Sequence, residues 1–209
     1  MLSKQHTQRT GRTGTFCSKI SFKRSQCRTE RSSLRAIAWN HARLPALELE
    51  MIIIVMGVSG SGKTTIGLAL AKKLGVMFKD ADDYHSQRNV EKMAKGIPLD
   101  DADRKEWLQT LSGHFRIWNM QGGAVLACSA LKESYRAVLG AESDEIKWVY
   151  LSGTMEKIRE RLDARTAHYF NPKLLESQFE TLEEPEYGVQ IEIDQSVRQI
   201  VEKLADIFK

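Results

Sequence analysis

The residues best placed for chemistry are Gly57, Val58, Ser59, Gly60, Ser61, Gly62, Lys63, Thr64 and Thr65. Their spacing, G-x-x-x-x-G-K-T, is that of a phosphate-binding loop. Such a loop turns successive backbone N–H groups toward phosphate oxygens at the positive end of the helix that follows. Lys63 is placed to reach the β- and γ-phosphates, and the Thr64 hydroxyl to ligate Mg²⁺. The context agrees. An apolar, β-branched run, Ile52 to Val55, precedes the loop, and a helix-forming stretch, Thr65 to Leu74, follows it. These residues predict a nucleoside triphosphate site.

A phosphoryl donor needs an acceptor and a group to orient it. Asp80, Asp82 and Asp83 stand at the end of a second expected strand, whereas the third strand ends in Cys128-Ser129 without an Asp. The acids after strand two are therefore the best source of carboxylate chemistry. Asp82 is assigned as the base or acceptor-orienting group, and Asp80 is placed near the metal shell through water, with helix capping as the competing role. Arg161 and Arg165 lie one turn apart before the polar segment 166–171, an arrangement that suits a lid carrying arginines over the γ-phosphate. Arg104, Lys132 and Arg136 are candidates to hold an acceptor carboxylate, Arg offering a planar fork. His85 follows the acids and His168 falls in the lid. Cys128, Trp107 and Trp118 read as core.

The elements that must position these groups alternate. Strands are expected at about 52–55, 76–79, 124–128, 148–151 and 189–193. Helices are expected over 65–74, 85–94, from the acids at 100–103 to Gly122, and over 132–139, 154–165, 172–182 and 196–208. Short apolar strands alternating with helices predict an α/β fold: a five-stranded parallel sheet with helices on both faces and a small lid. Ligands in such folds sit beyond the carboxyl ends of the strands. Lys63 and Asp82 stand at the ends of what the order suggests are neighbouring strands.

The chain has 209 residues and a net charge of +4. Residues 1–50 hold ten Lys or Arg against three Glu, +7, which leaves −3 for residues 51–209 and gives no case for nucleic-acid binding by the domain. Residues 51–209 form the expected domain. Residues 1–50, rich in Ser, Thr, Arg and Gln, are expected to be disordered. Their composition is that of an organelle transit peptide. The alternative is a mis-set start, since Met51 directly precedes the first strand, and a chain beginning there is expected to fold and stay active. Three cysteines without metal spacing suit a reducing compartment, and no apolar run is long enough to span a bilayer. The expected location is cytoplasmic, or organellar if the extension is a transit peptide.

The segments MGVSGSGKTTIG, DADDYH, NVEKMAKGIPLDDADR, CSALKESYR and LLESQFETLEEP occur in the order seen in the gluconokinase family, and over residues 52–207 the chain resembles these small P-loop sugar-acid kinases. The resemblance implies a three-layer P-loop kinase fold related to shikimate kinases. It implies ATP-dependent phosphorylation of D-gluconate at the 6-hydroxyl, with Mg²⁺. It places Asp82 and His85 in the acceptor region, Arg104, Lys132 and Arg136 around the sugar acid, and Arg165 with His168 in the lid. Related kinases are often dimers, which leaves a homodimer open. The chain departs from the usual pattern at Ser86 and Glu106, where proline is common, and at Ala167-His168-Tyr169, where Gly-His-Phe is common. A kinase for shikimate or a nucleotide, or a regulatory NTPase, are the competing functions.

Overall fold

The computed structural model describes residues 51–141, 146–164 and 172–209. Residues 1–50 and the expected lid, with Arg165 and His168, lie outside the described residues. The elements run β1 (Ile52–Met56), α1 (Lys63–Leu74), β2 (Met77–Asp80), a 3-10 turn (Ala81–Tyr84), α2 (Gln87–Ala94), α3 (Asp101–Met120), β3 (Ala124–Ala127), α4 (Glu133–Gly140), β4 (Ile146–Ser152), α5 (Met155–Asp163), α6 (Pro172–Thr181), β5 (Val189–Glu192) and α7 (Val197–Ile207).

The five described strands form one parallel sheet in the order β2-β3-β1-β4-β5. β3 therefore lies between β1 and β2, and the expected adjacency of those two strands is corrected. The strand ends still share one edge, because Asp80 of β2 is level with Ala127 of β3, and Val55 of β1 is level with Ala127 too.

Alternate residues of the central strands feed two cores, as the period of two requires. Ile53, Val55, Val125, Val149 and Leu151 face one layer, with Ile66 and Leu70 of α1 and Ile200, Val201 and Leu204 of α7. Ile52, Ile54, Met56, Leu126 and Tyr150 face the other, with Trp107, Leu111, Phe115 and Trp118 of α3 and Tyr135 and Leu139 of α4. Both faces of β1 are buried, which is why its sequence reads as an unbroken apolar run. Trp107, Trp118 and Cys128 are core, as expected.

The helices that flank the strand ends are locally well specified. α3 opens with a reciprocal capping box, Asp100 accepting from the Asp103 N–H and Asp103 accepting from the Asp100 N–H. Lys92 of α2 donates to Asp103 at 2.7 Å, and the Asn89 amide donates to the Asp103 carbonyl at 2.8 Å, which together dock α2 on the start of α3. Ser86 caps α2 by accepting from the Asn89 N–H.

Candidate active site

The phosphate-binding loop joins β1 to α1 by the shortest route, and two glycines make that route feasible. Gly57 has φ +143°, and a Cβ there would sit 2.9 Å from the Leu151 carbonyl oxygen. Gly60 has φ +86°, and its Cβ would meet Leu162 of α5 at 2.8 Å. α1 starts at Lys63 without a side-chain cap, so its first N–H groups point into the loop at the positive end of the helix. Lys63 Nζ donates to the Val58 carbonyl at 3.1 Å, folding the ammonium over the mouth of the loop. The Val58–Ser59 peptide thus carries the resting place of the lysine that is expected to reach the β- and γ-phosphates.

Thr64 and Asp80 are brought together, the Thr64 hydroxyl donating to Asp80 Oδ2 at 2.9 Å. The other Asp80 oxygen accepts from the Asp82 N–H at 3.2 Å and starts the 3-10 turn. Asp80 thus combines the two roles the sequence left open, turn cap and neighbour of the expected metal ligand. A hydroxyl and a carboxylate are hard oxygen donors, and Mg²⁺ is commonly held by one or two such groups with phosphates and water completing its shell. The residues present fit that ion.

The capped turn leaves the Asp82 side chain outward, 82 % exposed, with His85 Nε2 3.9 Å from Oδ1. The crowding walls of the cleft and the neighbouring Asp80 raise its pKa from the ordinary carboxylate value, while Lys63 pulls it back. Crowding here does not mean closure, because the carboxylate stays open to an incoming group. The opposing pulls of Lys63 and Asp80 also place both groups within electrostatic reach of Asp82. His85 is the reverse case. Its side chain is 5 % exposed and stacks on Trp107 at 4.3 Å between ring centroids. Burial lowers its pKa, Asp82 opposes that, and Arg104 adds to it, which places both groups within electrostatic reach of His85.

Arg104 and Lys132 line a cavity of about 500 Å³ together with Leu99, Asp101, Tyr135 and Thr181. Arg104 donates to the Leu99 carbonyl and lies over the Tyr135 ring, 5.6 Å from its centroid. Lys132 donates to Asp101 at 2.8 Å, and the Tyr135 hydroxyl donates to the same carboxylate. Those bonds hold the Asp101 carboxyl below its usual range and the Lys132 ammonium above its own. The cavity, which Asp100 also lines, therefore offers two cations, two carboxylates and a phenol, a polar set able to meet both the hydroxyls and an anionic group of a small molecule. Asp101 and Tyr135 were not singled out from sequence. Tyr135 stands three residues after Lys132, on the same face of a helix, which was the available signal.

One arginine is placed differently from the sequence expectation. Arg136 is turned inward, 1 % exposed, and its fork is taken up by protein. It donates to Glu133 at 2.7 and 3.0 Å, to the Tyr187 hydroxyl at 3.0 Å, and to the Ala130 and Leu131 carbonyls at 2.9 and 3.2 Å. Ala130 has φ +41°, so Arg136 serves the carbonyls of a strained turn rather than the cavity. Its expected contact with the acceptor is corrected. Arg161 donates to the Ile193 carbonyl just beyond β5, at the far end of the loop from Asp82.

Sequence reasoning also passed over Gln178 of α6. Its Oε1 accepts from the Ser59 N–H at 2.7 Å and its Nε2 donates to Ser59 Oγ at 3.0 Å. The signal was present. Gln178 interrupts the apolar face formed by Leu175, Phe179 and Leu182, where a polar side chain needs a partner.

A family model described as shikimate kinase matches residues 59–206. A probable gluconokinase of Dictyostelium discoideum is 43 % identical over 176 residues, which cover 78 % of this chain and 88 % of that protein. The thermoresistant gluconokinase of Escherichia coli K12 is 39 % identical over 163 residues, covering 76 % of this chain and 93 % of its own. The crystal structure of a gluconokinase from Sinorhizobium meliloti 1021 superposes with a TM-score of 0.70 at 36 % identity, covering 77 % of this chain and 92 % of that one.

Proposed function

This chain belongs to the gluconokinase family of P-loop kinases, and from that premise we propose that it transfers the γ-phosphoryl group of ATP to the 6-hydroxyl of D-gluconate. The products are 6-phospho-D-gluconate and ADP. The observation that carries the reading is the open carboxylate of Asp82 beside the phosphate loop, connected through His85 and Arg104 to a charged cavity.

In this reading the loop amides of residues 59–65 cradle the phosphates and Lys63 neutralises charge at the β,γ-bridge. The sugar acid lies in the cavity, its carboxylate toward Arg104 and Lys132 and its hydroxyls toward Asp101 and Tyr135. Asp82 accepts a hydrogen bond from the 6-hydroxyl and takes its proton as the new O–P bond forms and the bond to the β-phosphate oxygen breaks. The upward direction of its pKa suits this carboxylate to take that proton. His85, 3.9 Å from Asp82 and within electrostatic reach of Arg104, steadies the Asp82 carboxylate, and Arg161 borders the nucleotide end. Arg165 and His168 are assigned to cover the γ-phosphate and the acceptor from the segment before α6. Thr64, with Asp80 nearby, would hold Mg²⁺, which would neutralise negative charge on the phosphates. Among the described residues no helix is long and apolar enough to cross a membrane.

Arg104→Ala tests the acceptor assignment. It should raise the Michaelis constant for gluconate by at least tenfold and leave that for ATP within about twofold. An equal rise in both would remove Arg104 from the acceptor site.

A further inference from the structure

α6 touches both halves of the cleft. Its Gln178 amide grips Ser59 through two hydrogen bonds of 2.7 and 3.0 Å, across 119 residues of sequence. One turn later, Thr181 lines the 500 Å³ cavity. Directly beyond the helix, the Glu183 N–H donates to the Leu131 carbonyl at 2.9 Å, and its carboxylate accepts from the Glu133 N–H at 2.6 Å, tying the end of α6 to the start of α4. The opposite side of α6 is tied to α5, where Arg159 donates to Glu176 at 3.1 Å, while Leu175 on the Gln178 side is fully buried. The helix is therefore a strut held at three places, and both of the Gln178 hydrogen bonds to the phosphate loop fall on Ser59, one of them on the N–H of the Val58–Ser59 peptide. That peptide carries the carbonyl on which Lys63 rests, and with Lys63 assigned to the β- and γ-phosphates in the kinase reading it falls at the γ end of the loop.

We propose that Gln178 is a positioning residue for phosphoryl transfer, fixing the γ end of the phosphate loop in register with the acceptor cavity from a site beside the γ-phosphate. The inference rests on the kinase reading above and deepens it. The side-chain amide suits this place for two reasons. It is neutral, so it adds no repulsion beside a group of high negative charge. It also donates and accepts at once, so it saturates both the Ser59 N–H and the Ser59 hydroxyl, which a hydrophobic residue could not do.

Two substitutions separate this role from a purely structural one. Gln178→Glu keeps the length of the side chain and can accept from the Ser59 N–H and, after the hydroxyl rotates, from Ser59 Oγ. The grip survives, and a negative charge is added beside the γ position. Titration of wild-type protein and variant with ADP and with a non-hydrolysable ATP analogue, without gluconate, should show ADP affinity within about twofold and analogue affinity weakened by tenfold or more. Gln178→Ala removes the grip without adding charge. It should keep ADP affinity within about twofold and lower kcat for gluconate phosphorylation by about tenfold or more, with phosphate release to water rising as a share of ATP consumed.

Equal shifts for ADP and the analogue in Gln178→Glu would place Gln178 away from the γ-phosphate and overturn the proposal. So would a Gln178→Ala enzyme that loses only thermal stability while keeping kcat and coupling. Wild-type turnover on gluconate is the control for the underlying kinase reading. The nucleotide titrations need no acceptor, so a wrong acceptor and a wrong role for Gln178 give different results.

Discussion

Asp82→Asn is the substitution with the most sharply divided expectations. The side chain is 82 % exposed, its carboxylate lies 3.9 Å from His85, and it is the Asp82 backbone N–H that bonds to Asp80. Asparagine keeps that backbone bond and nearly the same shape, so thermal stability should change by no more than ~0.5 kcal/mol, the range for open positions. The chemistry should change far more. A positioned general base contributes about 10²–10⁴-fold, equivalent to about 2.7–5.4 kcal/mol of barrier at 1.36 kcal/mol per decade. The loss should fall on kcat, because the interaction strengthens as the hydroxyl gives up its proton. MgATP affinity should stay within a few-fold of normal, since the loop amides, Lys63 and Thr64 are untouched. The wild-type pH profile adds a second signature. Asp82 must be ionised to act, and crowding and Asp80 raise its pKa. The acid limb should therefore stand above the ordinary aspartate value of 3.8, with activity falling as pH drops through it, and the limb should vanish in Asp82→Asn. Coupled ADP-release kinetics with saturating gluconate, and a separate nucleotide titration, measure both. Near-normal turnover in the variant would refute the base assignment. Loss of MgATP binding would give the carboxylate to the metal instead, with Asp80 and Asp82 exchanging roles.

Three further outcomes are expected. Burial lowers the His85 pKa below 6.5, so the stability of its neutral form is complete above that value and is lost as pH falls through the depressed pKa. The melting temperature should drop over that acid range, and His85→Gln should flatten the drop. Phe115 is 0 % exposed between α3 and the sheet, and Phe115→Ala should cost about 3–5 kcal/mol in denaturant unfolding. Burial pushes the Cys128 thiol up to about 12, so native protein should leave Cys128 unalkylated at neutral pH in peptide mass spectra, while denatured protein reacts.

What could be read from the sequence follows the range of the interactions involved. The phosphate loop is contiguous, and its fixed residues follow one another within eight positions, Lys63 resting on the Val58 carbonyl five residues before it, so motif and structure coincide. The alternation of strands and helices was legible for the same reason. Sheet order was not, because β3 enters between β1 and β2 through packing of whole layers, which no local period records. Arg136 was misplaced by a similar limit. Its spacing from Lys132 sets them one turn apart, but the carbonyls of the strained turn at Ala130 take its fork inward. Asp101 was read as a helix opener, and only the fold shows that Lys132 and Tyr135 reach it from 31 and 34 residues away. Ser86, where the family resemblance leads one to expect proline, remains a sound helix start because its hydroxyl caps α2.

The central claim is that this cleft joins ATP to gluconate, and the most direct measurement is ADP formation by the purified chain with Mg²⁺ and a panel of gluconate, other aldonates, shikimate and nucleoside monophosphates, with the phosphorylated product identified by ³¹P NMR. The account predicts turnover with gluconate at least a hundredfold above shikimate or any nucleotide, a single phosphomonoester at the 6-position, and loss of that activity in Lys63→Ala. Preferred phosphorylation of shikimate or a nucleotide, or ATP hydrolysis that gluconate does not stimulate, would contradict it.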